Sequence, residues 1–163
     1  MADAPAPYLY LLMRNDLDSM NPGKAVAHGA HAANKFTYDV QRRLAGRTDP
    51  LTDMTVERNF NWWVRSADGF GTTITLSGSL MEIQTAVTMA QAMDHPAALS
   101  VDPTYPYLLH REYADLIKHP EDHPPVPTGN GMMLCFRAEI TAAYVFGFKD
   151  VLRPILRDFP LMK

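Results

Sequence analysis

The feature that most limits this fold is the join between a short apolar run and a long alanine-rich segment. Tyr8 to Met13 is continuously apolar, without alternation, and reads as a buried central strand. Arg14, Asn15 and Asp16 end it. After a short polar loop, a helix is expected from about Pro22 to about Leu44, with Gly46 as its stop signal. Asn21 suits the N-cap and Pro22 the first helical position. Gly23 and Lys24 follow in the first turn, where unpaired backbone N–H groups beside a lysine favour an anion. Lys24, His28 and His31 are spaced i, i+4, i+7, which predicts one polar stripe on an otherwise small, apolar helix. Arg42 and Arg43 fall near its C-terminus, where they favour the dipole.

The 163 residues suffice for one domain with a core, expected as a single unit with residues 1–7 as a flexible tail. No apolar run reaches membrane-span length, and the N-terminus has no basic flank or clear cleavage site. The lone cysteine, Cys135, excludes an intrachain disulfide and lies in the apolar run MMLCF, so it reads as a buried structural thiol. These features predict a cytoplasmic protein. The net charge of −3 allows only a local basic patch. That favours a small anionic ligand, or one end of a nucleic acid, over a long phosphate footprint.

Further along, residues 47–53 read as a loop and Thr55 to Arg65 as a second helix, with Trp63 facing the core and Trp62 half-exposed. Thr72 to Leu76 alternates as a strand. Ser79 and Glu82 form a capping box that opens a helix to about Asp94, with Met81, Met89 and Met93 expected as core filler. Ala97 to Val101 is a third strand, and Asp102 to Tyr107 is expected as a loop at its end, where sites are commonly built. An aspartate there also commonly opens a turn before proline. Residues 110–130 change composition, with prolines, histidines and acids, and predict an excursion of short helix and loop. Their histidines match no standard zinc spacing, so no metal or other cofactor is expected. Gly131 to Phe146 reads as two strands or one bent strand, and Lys149 to Phe159 as a final helix. The order predicts a single α/β domain, a three-layer α/β/α arrangement around a mixed sheet of four to five strands.

The stretch RNDLDSMNPGKAVAHGAHAANKF resembles the signature of the peptidyl-tRNA hydrolase type 2 (PTH2-like) family, approximately R-N/T-D-L-x-M-x-x-G-K-x-A-A-Q-x-x-H-A. The matching positions are Arg14, Asn15, Asp16, Leu17, Met20, Gly23, Lys24, Ala27, His31 and Ala32. TAAYVFG and KDVLRPILRDF are similar to the family's last strand and terminal helix. The resemblance implies a four-stranded mixed sheet with helices on both faces, usually in a homodimer. It implies hydrolysis of the ester joining a peptide to the tRNA 3′ ribose, without a metal. Carried over, the catalytic set is Lys24, His31, Asp102, Thr104 and Thr141. In outline, His31 serves as base, Asp102 orients it, Lys24 holds a phosphate or the oxyanion, and a threonine positions water.

The chain departs from the family pattern at three places. His28 stands where the family has glutamine, and Asp102-Pro103-Thr104-Tyr105-Pro106-Tyr107 replaces D-A-G-R/H-T-Q-I. The excursion at 110–130 replaces a short link. These changes motivate a second expectation: a non-catalytic protein of the same fold that sequesters a small nucleotide-type signalling ligand. In a viral genome such a protein would fit a counter-defence role. Its ligand-binding set would be Arg14, Asn21, Gly23, Lys24, His28, Tyr105 and Tyr107, with Tyr113 also able to stack a base.

Overall fold

The computed structural model describes residues 6–46, 50–69, 71–119 and 121–162. Most of the expected 1–7 tail, the start of the 47–53 loop and Pro120 of the excursion lie outside them. The element order is β1 (Tyr8–Arg14), α1 (Pro22–Ala45), α2 (Pro50–Arg65), a short 3-10 turn (Ala67–Gly69), β2 (Thr72–Gly78), α3 (Leu80–Ala92), β3 (Ala97–His110), α4 (Arg111–Ala114), β4 (Val126–Gly129), β5 (Met132–Gly147) and α5 (Lys149–Leu156). The sheet order is β2-β1-β5-β3, with β4 also paired to β5. β1 runs parallel to β2 and antiparallel to β5, so the five-stranded sheet is mixed.

The chain divides into two compact units: Met1–Ser100 with Ala142–Lys163, and Val101–Thr141. In the larger unit, β1 is buried on both faces and its side chains alternate between two cores. Leu9, Leu11 and Met13 pack with Ala32, Phe36 and Val40 of α1 and Val56 of α2. Tyr10 and Leu12 pack with Ile83 and Val87 of α3 and Leu152 and Ile155 of α5. Helices therefore cover both faces of that unit's sheet. Phe36 is the centre of the first core. It is fully buried, and its ring lies 5.3 Å from Tyr144, 5.4 Å from Trp63 and 4.8 Å from Phe146. Burying a ring of that size contributes about 1.5–3 kcal/mol.

In the smaller unit, β4 pairs with the early part of β5. α4 turns in the chain between β3 and β4, with Ala114 buried and the surrounding residues of the helix exposed.

Several expectations need correction. α2 begins at Pro50 rather than Thr55, because proline suits the first helical position. β3 does not end at Val101. It continues through Asp102 to Tyr107 as far as His110, so this segment is strand and not loop. β3 stands at the edge of the sheet order, where the missing N–H groups of Pro103 and Pro106 are tolerated. Met81, Met89 and Met93 are 74%, 45% and 46% exposed, so they face outward from α3 and do not fill the core. The buried face of α3 is made by Ile83, Ala86, Val87 and Ala90. The last helix stops at Leu156, with Pro154 inside it.

Other readings agree with the structure. The Ser79–Glu82 capping box is complete. Trp63 joins the core and its Nε1 donates to the Thr72 carbonyl at 2.9 Å. Residues 132–147 form one long strand.

Candidate functional site

The start of α1 is built as its sequence suggests. Asn21 is extended (φ −129°, ψ 169°), and its side chain accepts the Lys24 backbone N–H at 3.0 Å. Its carbonyl takes the Ala25 N–H at 2.8 Å. Pro22 has no N–H, so these bonds leave the Gly23 N–H to face an anion. A Cβ on Gly23 would meet only the cap oxygen of Asn21, at 3.4 Å, so glycine leaves this turn open without relieving a clash. The first turn has no acid, and the positive end of the helix dipole is offset by no carboxylate of its own.

The polar stripe is not uniform. His28 lies on the buried stripe with Ala32, Phe36 and Val40, at successive i+4 positions. Lys24, one turn earlier, is half-buried, and His31 is exposed. The His28 and His31 rings meet edge to face, with centroids 5.8 Å apart and planes at 73°. The helix thus exposes His31, half-buries Lys24 and buries His28.

Arg14 is buried, and its Nε donates to the Asp16 carboxylate. The other Asp16 oxygen accepts the Leu80 backbone N–H at 3.1 Å, at the start of α3. Asn15 N–H donates to the Gly78 carbonyl at 3.0 Å. Partial burial pushes the Asp16 carboxyl up, but the Arg14 hydrogen bond and the Leu80 N–H outweigh it and hold the group below the usual carboxylate range. In this structure the R-N-D segment fastens the end of β1 to the turn between β2 and α3.

Asp102, Thr104 and Thr141 belong to the smaller unit. Asp102 Oδ1 accepts the Thr104 N–H at 2.9 Å and the Thr104 hydroxyl at 3.3 Å, a turn of Asx type set within β3. Tyr105 is 2% exposed, and so presents no surface ring for stacking. The Arg137 guanidinium lies 4.9 Å from the centre of the Tyr107 ring. Burial pushes the Tyr107 hydroxyl up, with Cys135 adding to the shift and Arg137 opposing it. Tyr113 is the exposed tyrosine of this unit's three ring candidates, at 58%. Thr141 is 1% exposed, and its hydroxyl has no hydrogen-bond partner among the described residues. Cys135 is buried, and burial pushes its thiol up, as suits an unreactive structural cysteine. Among the described residues no group of three His, Cys, Asp or Glu side chains could hold a metal ion. No described helix is long and apolar enough to cross a membrane.

Sequence reasoning missed a polar network on the C-terminal half of α1. The Tyr144 hydroxyl donates to Asp39 at 2.9 Å, and Arg43 Nε donates to the buried Asp53 at 2.7 Å. Only the Lys35–Asp39 spacing of i, i+4 was a readable signal, and that pair bonds at 2.8 Å. Arg43 is therefore an ion-pair partner as well as a last-turn cation.

No family model matches the chain, and no curated protein matches it.

Proposed function

We propose that the chain is a PTH2-like esterase that hydrolyses the ester between a peptide and the 3′ end of a tRNA. The observation that carries this reading is the pair of half-buried Lys24 and exposed His31 on α1, behind a capped helix start with no acid in its first turn. Seven residues of helix separate them, about 10 Å along the axis. The phosphate 5′ to the terminal nucleotide, held by Lys24 and the Gly23 N–H, would then leave the ester on that nucleotide's ribose within reach of His31. An imidazole takes a proton from water near neutral pH, and a fixed cation favours developing negative charge. Asp102, Thr104 and Thr141, which the resemblance adds to the set, belong to the smaller unit.

Charge distribution is compatible with this reading. The smaller unit holds six acids and three basic residues, a formal −3 equal to that of the whole chain, so the larger unit carrying α1 is formally neutral. The family arrangement would make the protein a cytoplasmic homodimer.

The test is release of free tRNA from a peptidyl-tRNA mimic. Activity in the wild type, lowered at least about 100-fold by His31→Ala, supports the proposal. No release at stoichiometric enzyme overturns it.

One observation favours a second reading, a non-catalytic nucleotide-binding protein. Asp102 Oδ1 accepts two hydrogen bonds from Thr104, so this carboxylate already serves a turn within β3. Thermal-shift screening against cyclic and ADP-ribose-type nucleotides distinguishes this reading, since a sequestering protein would be stabilised by one of them without turning it over.

A further inference from the structure

Two cavities, of about 250 and 330 Å³, adjoin at Asp94, His95 and Pro96 in the larger unit. They lie where β3 begins and β5 ends, beside the C-terminal half of α1 and so away from Lys24 and His31. Each is near the lower end of the range for small-molecule pockets, which limits an occupant to metabolite size.

The walls of the smaller cavity differ in hydrogen-bonding character. On the α1 side, Arg43 binds Asp53 through Nε, which leaves the two Nη groups as donors. Asp39 beside it is already occupied, by the Tyr144 hydroxyl at 2.9 Å and by Lys35 Nζ at 2.8 and 3.2 Å. The turn after α3, which also lines the cavity, supplies acceptors. The Gln91 amide nitrogen donates to the Ala97 carbonyl at 2.8 Å, which leaves its side-chain oxygen. Burial holds the His95 imidazole below its ordinary value, although the Phe146 backbone and Asp94 favour its proton. The ring is therefore neutral near pH 7, and one of its nitrogens is an acceptor. The exposed Asp94 carboxylate completes this wall. A guanidinium that lines one cavity with a carboxylate and neutral acceptors matches a small ligand carrying both an anionic group and an ammonium. The adjoining cavity, with Val56, Met93 and Phe146 in its lining, suits an apolar extension of that ligand.

We propose that this cleft binds a free α-amino acid, with its carboxylate on the Arg43 Nη groups, its ammonium on Asp94 and His95, and its side chain in the adjoining cavity. This site is independent of the esterase reading, because neither Lys24 nor His31 lines it.

The experiment is an NMR titration of the ¹⁵N-labelled full chain with each of the standard amino acids, and with the N-acetyl and carboxamide forms of any that bind. Saturable shifts of the Gln91, His95 and Ala97 amides are expected with at least one free amino acid at about 10 mM. Blocking either charged end is expected to weaken binding at least about ten-fold. Asp94 has φ +59°, a conformation that asparagine adopts readily, so Asp94→Asn keeps the turn and removes the charge. This variant is expected to bind at least about ten-fold more weakly. No saturable shift with any amino acid overturns the proposal. Equal binding of the blocked forms, or full affinity in a folded Asp94→Asn, also overturns it.

Discussion

The Asp16 carboxylate accepts the backbone N–H of Leu80 at 3.1 Å, joining the end of β1 to the start of α3 across 64 positions of sequence. The same carboxylate holds the buried Arg14 guanidinium. Asp16→Ala is expected to destabilise the protein by about 1–2 kcal/mol, from an unsatisfied helix-start N–H and a weakened charge pair. Because the folded carboxyl sits below its ordinary value, its contribution is complete above about pH 4 and is lost as pH falls through the folded value. Urea unfolding of wild type and Asp16→Ala at neutral and acid pH checks both. The gap between them should narrow in acid, and a gap constant with pH would contradict this account.

Gly71 lies at φ +67°, and a Cβ there would fall 2.1 Å from Trp63 Cε2. Trp63 cannot yield freely, since its Nε1 is bonded to the Thr72 carbonyl and its ring packs on Phe36 at 5.4 Å. Gly71→Ala is expected to lose about 3 kcal/mol or more, through both backbone strain and displacement of the indole. Thermal unfolding monitored by tryptophan fluorescence would read the loss. A melting temperature equal to wild type would rule out this packing.

His95 abuts the β5 terminus so closely that a Cβ on Gly147 would lie 2.8 Å from its Nδ1. Burial lowers its value in the folded protein, while the Phe146 carbonyl and Asp94 oppose the shift. The unfolded chain therefore binds the proton more readily, and stability falls as pH drops below about 6.5 toward the folded value. His95→Gln is expected to flatten the pH dependence of stability in that range. An unchanged slope would place the dependence elsewhere.

Thr141 offers a separation of stability from function. Its buried hydroxyl has no hydrogen-bond partner among the described residues, so Thr141→Val keeps the shape and removes a desolvated polar group. The variant is expected to be as stable as wild type or more stable by about 1 kcal/mol. If the proposed esterase uses that hydroxyl, peptidyl-tRNA hydrolysis should nevertheless fall. A variant at once less stable and fully active would contradict both statements.

His31 is exposed and Lys24 half-buried. Lys24→Ala and His31→Ala are expected to leave the melting temperature within a few degrees of wild type. Lys24→Ala should weaken substrate binding most, and His31→Ala should lower turnover most. Steady-state kinetics on a peptidyl-tRNA mimic would distinguish these effects.

The sequence by itself determined the elements whose signals are local. Asn21-Pro22 set the start of α1, Ser79 and Glu82 set the start of α3, and the apolar run at Tyr8 set a doubly buried β1. Each depends on residues within a few positions, so spacing and chemistry suffice to read it. Tertiary structure decided what depends on distant neighbours. Edge position kept β3 extended through two prolines. Folding buried His28 while leaving His31 exposed, although both have the same side chain on the same helix. The methionines of α3 were left outside because its small-residue face packs inward. The partnerships of Asp16 with Leu80 and of Asp39 with Tyr144 have no local signal, because only folding brings such residues within hydrogen-bond reach.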